Sequence, residues 1–470
     1  MSYTLNHGTD ADDQAIVEAG YQPQLSRRLG FFSSFAISFS YMSVLTGIFA
    51  NYGFALGKAG PFGFWTWILV GVGQTLTALV FAEMAGRIPL TGCSYNWNRK
   101  LTNQTVGWFA GWMALVAYTV GVSAVTVTIF PLINSLLGWP LPASLIPALG
   151  LAVVFLQAAL NIYGVRVAAY VNLLAVFAEI LAVLAFGVLL AVFWVDHGFR
   201  NLELLTNIPA TPKPYLPGFL MASLLGAWTL LGFEGAADIS EETVDVRRVA
   251  PRGIIRAAVI CSVFGLAFTL ILTLCISNLS SVASAADPVS LIISMALGPH
   301  LTRLFQVLLL LSIVACSLVN MTGASRVLFA MARDGRILAS GWLSHVSNYK
   351  VPSNAIWTVA AFSGLFLLIS NSATALYGSG AVLFTLFYLL TVLGYAVGVR
   401  RLPPAQGFSL KRWRWVVVPL AAVWLCLEAA ILTVPPQFHE VAIATGLVLV
   451  IGVVLYAIVG RGTKPARESA

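Results

Sequence analysis

Glu179 and Glu234 are the residues of this sequence best placed to do chemistry, because each sits inside a long apolar stretch. Glu179 lies within Val176-Phe177-Ala178-Glu179-Ile180-Leu181. A carboxyl in such a place can take up and release a proton as its surroundings alternate, or it can stay protonated and hydrogen-bonded to a neighbouring helix. Glu234 follows Trp228-Thr229-Leu230-Leu231-Gly232-Phe233, where glycine interrupts a helical interior. There the carboxyl either serves a binding site or stabilises an unwound backbone. Glu428, in a later apolar stretch, reads as structural, and Glu83 reads as one half of an ion pair with a local arginine.

A second constellation is built from backbone. Ser43-Val44-Leu45-Thr46-Gly47-Ile48-Phe49 puts small, polar and helix-weakening residues in the middle of the apolar stretch from Phe31 to Leu56. In a bilayer core, freed backbone groups must be satisfied by protein, a cavity or a ligand. A half-helix starting near Gly47 would aim its free N–H groups and positive dipole end at an anion such as a carboxylate. The alternative is a kink, with Ser43 and Thr46 bonded back to the preceding turn. At the Trp228–Gly235 interruption, freed carbonyls could accept an ammonium group and Trp228 could cover it with an aromatic face. The other reading of Trp228 is packing in the core or against lipid. Two such breaks in corresponding halves of a chain point to a ligand site near the membrane midplane.

The elements that must position these residues are membrane helices. Of 470 residues, 59% are hydrophobic and only 9% charged, and the mean hydropathy is +0.88; a soluble domain carries roughly a quarter charged residues. Apolar runs near the roughly 20 residues that cross a bilayer recur along the whole length. They predict an all-α integral membrane protein with 12 spans, at about 31–56, 62–86, 106–134, 143–162, 168–195, 216–240, 253–277, 301–326, 353–371, 376–399, 415–434 and 439–460. The net charge of +8 does not signal nucleic acid, because the basic residues fall in alternate loops. Arg27, Arg87, Arg99, Arg247, Arg333, Arg400 and Arg412 share one side, which the positive-inside rule makes cytoplasmic together with both termini. Residues 1–26 and 461–470 are expected to be cytoplasmic tails, the first disordered and without the pattern of a cleavable signal peptide. Trp65, Trp67, Trp139, Trp194, Trp413 and Trp415, near span ends, read as interfacial anchors. Gly107 with Gly111, and Gly394 with Gly398, read as small faces for close helix packing.

Enzymatic and metal chemistry find no support. The five histidines lie in loops, span ends or the tail, the five cysteines are scattered without C-x-x-C spacing, and no cofactor or metal is expected. Gly53-Phe54-Ala55-Leu56-Gly57-Lys58-Ala59 lacks a spacer and the hydroxyl residue that a phosphate loop needs.

Across about residues 27 to 460 the chain resembles the amino acid-polyamine-organocation transporters, and within them the amino acid/choline permeases that include 4-aminobutyrate carriers. The resemblance is carried by Ser38-Phe39-Ser40-Tyr41-Met42-Ser43-Val44-Leu45-Thr46-Gly47-Ile48, Ala82-Glu83-Met84-Ala85-Gly86-Arg87-Ile88-Pro89-Leu90-Thr91-Gly92-Cys93-Ser94-Tyr95-Asn96-Trp97, Gly232-Phe233-Glu234-Gly235 with Ser240-Glu241-Glu242 and Pro251-Arg252, and Ser325-Arg326 with Ala332-Arg333-Asp334-Gly335. It implies a five-plus-five inverted repeat, at about 31–195 and 216–399, with broken helices 1 and 6 and extra helices at 415–460. It further implies that the backbone of Ser43, Val44, Leu45, Thr46 and Gly47 receives a substrate carboxylate, and that carbonyls near Trp228, Leu231 and Gly232 receive its amine. Trp228 matches an aromatic gate, and Glu234 the acidic residue just after the unwound stretch. Some carriers of the wider superfamily place a lysine in the fifth span, in lieu of a sodium ion; this chain has Glu179 there. Cys316, Ser317 and Asn320 fall near the facing place in the eighth span, and without a clear pair of hydroxyls a proton is favoured over sodium.

The expected function is secondary active import of a small amino acid or related amine, 4-aminobutyrate-like and proton-coupled, across the plasma membrane. The alternatives are a choline, ethanolamine or polyamine permease, or a nutrient sensor that binds without transporting. The expected partners are the small-molecule substrate, protons and the lipid bilayer, with no nucleic acid.

Overall fold

The computed structural model describes residues 12–460, apart from 15, 26, 28, 140, 143, 164, 207–213, 371, 403 and 404. It is all-helical, and no strand occurs among the described residues; one isolated bridge joins Leu29 to Thr243. Among those residues 10 helices are long and apolar enough to cross a membrane. The expected spans six and nine are missing from that set for different reasons. The ninth, Ser353–Ile369, has 17 residues, and at about 1.5 Å per residue it falls short of a hydrocarbon core of about 30 Å. The sixth is broken into Tyr215–Ala222, Leu224–Thr229 and Gly235–Asp238.

The third span, Gln104–Leu137, is 94% buried over its most apolar window and the last, Pro436–Val459, only 17%, so the third is central and the last peripheral. The first break is a single residue. Ser43 takes a left-handed conformation at φ 32° between Phe31–Met42 and Val44–Ala59, an arrangement that costs a non-glycine residue about 1–2 kcal/mol. Thr46 and Gly47 therefore lie inside the second half-helix and do not form the break. The second break runs from Leu230 to Glu234, with Gly232 at φ 86°. Part of its backbone is satisfied by side chains from other spans, as an apolar setting demands. Gly232 N–H donates to Tyr388 at 2.9 Å, Ala236 N–H donates to Ser38 Oγ at 2.9 Å, and Ser38 donates to the Phe233 carbonyl at 2.8 Å. The two broken helices cross where Gly47 lies against Thr229, close enough that a Cβ on Gly47 would overlap the threonine side chain.

Both small faces read from the sequence hold one element. Gly107 and Gly111 lie against Arg99 and Tyr95, while Gly394 and Gly398 lie against Asn98 and Leu101. The short helix Cys93–Leu101 is thus clamped between the third and tenth spans. Trp139, Trp413 and Trp415 are well exposed, as anchors would be. Trp67 is not: it is 1% exposed and donates to the Ser262 carbonyl at 2.9 Å, so it is a core residue. Four of the cysteines are buried and free, and Cys426 is exposed and free.

The disorder expected of residues 1–26 does not extend over the described part of that segment. Ile16 is 1% exposed, Arg27 binds Asp13 at 3.0 Å, and the Asp245 N–H donates to Asp12 at 2.7 Å. Tyr21 donates to Asp334 at 2.8 Å, and Arg99 donates to Tyr21 at 2.5 Å and pairs with Asp334. Arg333 stacks 3.9 Å from the centre of the Tyr21 ring while it grips Glu241 with two bonds of 2.9 Å. Glu83 pairs with Arg87 at 2.6 Å, as read from the sequence. Asp12, Asp13 and Tyr21, expected in a disordered tail, are thus bonded to residues of the helical domain. Residues 1–11 and 461–470 lie outside the described residues.

Candidate functional site

A cavity lies beside the crossing of the two broken helices. Tyr41, Met42, Thr46 and Gly47 line it from the first span, and Trp228, Leu231 and Gly232 from the sixth. Val125, Cys316, Asn320 and Phe384 close it from the third, eighth and tenth. No Asp, Glu, Lys, Arg or His stands among the described residues that line it. A ligand there meets backbone dipoles, an amide, a hydroxyl, a thiol and aromatic faces, and no fixed charge.

Glu179 is 1% exposed and reaches the first break from the fifth span. Its Oε1 accepts the Leu45 N–H at 3.0 Å, and Ser43 Oγ lies 3.1 and 3.2 Å from its two oxygens. Ser43 Oγ in turn lies 2.6 Å from Thr46 Oγ1, which borders the cavity. The positive end of the second half-helix is therefore met by a carboxyl of the protein itself, and a line of two hydroxyls joins that carboxyl to the cavity.

Trp228 is half-buried and packs against Tyr377, ring centres 5.3 Å apart, with Tyr377 bonded to Thr128 at 3.0 Å. Gly380 leaves room for its indole: a Cβ there would come within 2.7 Å of the ring. Glu234 lies off the cavity. It binds Tyr118 and Tyr388 at 2.5 Å each, and Tyr388 carries the Gly232 N–H, so the carboxyl props up the unwound segment through a tyrosine.

A sequence profile of the family described as amino acid permease matches residues 29–458. The chain belongs to the amino acid permease family. Among curated relatives of the permease is the amino-acid permease BAT1 of Arabidopsis thaliana, 25% identical over 91% of this chain and 89% of that protein. The branched-chain amino acid permease BcaP of Bacillus subtilis is 26% identical over 95% and 96% of the two chains. The thiamine transporter thi9 of Schizosaccharomyces pombe is 25% identical over 96% and 85%. The permease is accordingly a multi-pass membrane transport protein and not an enzyme.

The residues singled out in the sequence of the permease separate into three places. Thr46, Gly47, Trp228, Leu231, Gly232, Cys316 and Asn320 line the cavity. Ser43 and Leu45 turn to Glu179, and Val44 is wholly buried beside them. Ser317 faces away, bonded to Gln157 at 2.8 Å. Glu428 is also fully buried, bonded by Gln74 at 2.9 Å and Thr385 at 3.0 Å. Tyr41 and Met42 adjoin the first break, and position alone could have found them. Val125 and Phe384 are ordinary apolar residues of two spans, and nothing in the sequence marks them. Asp238, buried in the sixth span one turn after Glu234, obeys the same rule that singled out Glu234.

Proposed function

We propose that the permease imports a small neutral amino acid across the plasma membrane by alternating access, with Glu179 carrying the coupling proton and both termini cytoplasmic. The observation that carries this reading is the Glu179–Ser43–Thr46 line, which links a buried carboxyl to the edge of the cavity. A carboxylate arriving near Thr46 and Gly47 would share a helix N-terminus with Glu179, and two anions there repel. Protonation of Glu179 relieves that repulsion, so proton and substrate favour each other's binding. The uncharged cavity suits a zwitterion whose carboxylate and amine are met by backbone, with an apolar or absent side chain against Val125, Leu231 and Phe384. Aliphatic amino acids and 4-aminobutyrate both satisfy that description, and the branched-chain relative supports the former.

The five-plus-five inverted repeat belongs to the same proposal. It makes the two breaks equivalent positions and lets the first and sixth spans tilt together.

The aromatic faces of Tyr41, Trp228 and Phe384 favour one second reading, an organic cation without a carboxylate. The thiamine-transporting relative points the same way. Uptake into proteoliposomes, with proton and sodium gradients imposed separately, decides between them. The proposal expects leucine, valine or 4-aminobutyrate to accumulate under a proton gradient, with choline and thiamine failing to compete. Accumulation driven by sodium alone, or competition by choline alone, overturns it. Binding without accumulation under either gradient would make the chain a sensor.

A further inference from the structure

Beneath the cavity, Glu234 and Asp238 face each other across one tyrosine. Both are fully buried. Tyr118 Oη lies 2.5 Å from Glu234 Oε1 and 2.7 Å from Asp238 Oδ2. The hydrogens can be counted. Tyr388 accepts the Gly232 N–H, so its own hydrogen serves Glu234 Oε2 at 2.5 Å. Tyr118 has a single hydrogen for two carboxyl oxygens, and an ionised carboxylate can only accept. With both acids ionised, one of the two contacts would be an oxygen pair at hydrogen-bond distance with nothing between. A carboxyl proton supplies the missing hydrogen.

Among the described residues no cation forms an ion pair with either acid. Arg326, the guanidinium felt at Asp238, is held by Glu242 through bonds of 2.9 and 3.3 Å. The remaining titratable groups facing the pair are Tyr41 from the first span and the Cys93 thiol, besides Tyr118 and Tyr388. Two polar atoms here have no partner, Asp238 Oδ1 and Tyr41 Oη. Tyr41 Oη and Asp238 Oδ2 converge on the bare face of Gly323, and Tyr41 also borders the cavity. An unpaired buried hydroxyl thus stands between the ligand space and the acid pair.

We propose that Glu234 and Asp238 hold one proton in common, exchanged through Tyr118, and that they form a proton site separate from Glu179. In the exchange one carboxyl O–H passes its hydrogen to the Tyr118 oxygen while the Tyr118 hydrogen passes to the other carboxylate. One O–H bond forms for each that breaks; the total charge of the pair is unchanged, and the ionised carboxylate passes from one residue to the other. The pair then titrates as a unit, in two macroscopic steps. Its site-specific consequence is at the sixth span: loss of the shared proton sets two carboxylates against each other at the two ends of the short segment Gly235–Asp238, Glu234 just before it and Asp238 at its last position. The inference does not depend on the role proposed for Glu179.

Infrared spectroscopy of the full chain in an ester-free detergent tests it, because a protonated carboxyl has its own carbonyl stretch that shifts in deuterated water. Spectra of the parent protein at neutral pH are compared with those of Asp238→Asn and Glu179→Gln. The expected result is an acid band that Asp238→Asn removes and Glu179→Gln leaves in place. An Asp238→Asn spectrum with every acid band of the parent overturns the proposal, as does a band lost equally in Glu179→Gln. If Asp238→Asn does not fold, Glu234→Gln is expected to remove the same band, and its survival there is equally decisive. A separate acid band lost only in Glu179→Gln reports on the coupling reading independently.

Discussion

Glu179 Oε1 accepts the backbone N–H of Leu45 at 3.0 Å, across the gap between the fifth span and the break in the first. An acceptor at the N-terminus of a half-helix answers its free donors and its dipole, and here the acceptor belongs to a residue that can be neutralised. Replacing Glu179 with glutamine keeps an acceptor for Leu45 and removes the proton. In proteoliposomes Glu179→Gln is expected to abolish uphill uptake, bringing the accumulation ratio to about 1, while exchange of labelled for unlabelled substrate continues. Proton-driven accumulation at the parent level would remove Glu179 from the coupling scheme.

Trp228 and Gly380 give a matched pair of tests. Trp228→Ala takes away an aromatic wall of the cavity, and a loss of about tenfold in apparent substrate affinity, near 1.4 kcal/mol, is the expected result. Gly380→Ala places a methyl about where the indole now lies, so it should impair uptake by displacing the ring while leaving the tenth span helical. Unchanged uptake kinetics in both variants would mean that the ring does not gate the site.

At the crossing of the broken helices, Gly47→Ala drives a methyl into Thr229. Overpacking of this kind costs about 1–3 kcal/mol. Pairing it with Thr229→Ala frees the space, so the double variant is expected to recover thermal stability relative to Gly47→Ala alone. Additive losses in a thermal-shift cycle would contradict the contact.

Asp334 accepts bonds from Tyr21 and Tyr95 and pairs with Arg99. Asp334→Ala leaves that part-buried arginine without its carboxylate, and losing a partner of this kind typically costs about 1–3 kcal/mol. The basic end should open, seen as faster labelling of a cysteine introduced at Ile16. Protection equal to the parent's would show that the N-terminal segment is held by other contacts.

The same cluster has a defined pH response. Burial, and then the negative charge of Asp334, push the Tyr21 phenol up from its usual value near 10 to about 12. A raised folded-state value favours the protonated form, so the contribution of Tyr21 is fully present below about pH 10 and is lost as the pH rises through about 12. Tyr21→Phe should therefore flatten thermal stability between those limits, and an unchanged alkaline profile would exclude Tyr21 as its source.

The sequence determined the class of this protein, the 10 spans long and apolar enough to cross a membrane among the described residues, and the neighbourhood of the two breaks. Those follow from local chemistry: the number of apolar residues in a row, a glycine or serine in a helix, an acid where no water reaches. The same rules picked out Leu231 and Gly232 in the second break and Thr46, Gly47 and Trp228 beside the two breaks, because residues near a break must face something other than lipid. Only the tertiary structure decided where each broken end points. Glu179 is 134 positions from Leu45 and meets it by helix packing, so the half-helix N-terminus assigned to a ligand has a carboxyl of the protein on it. Tyr118 comes to Glu234 from 116 positions away, and the residues about Tyr21 leave the expected tail to lie against Asp334. Periodicity tells which residues a helix buries but not how one helix is rotated and shifted against the next, and those two quantities set every distance in the site.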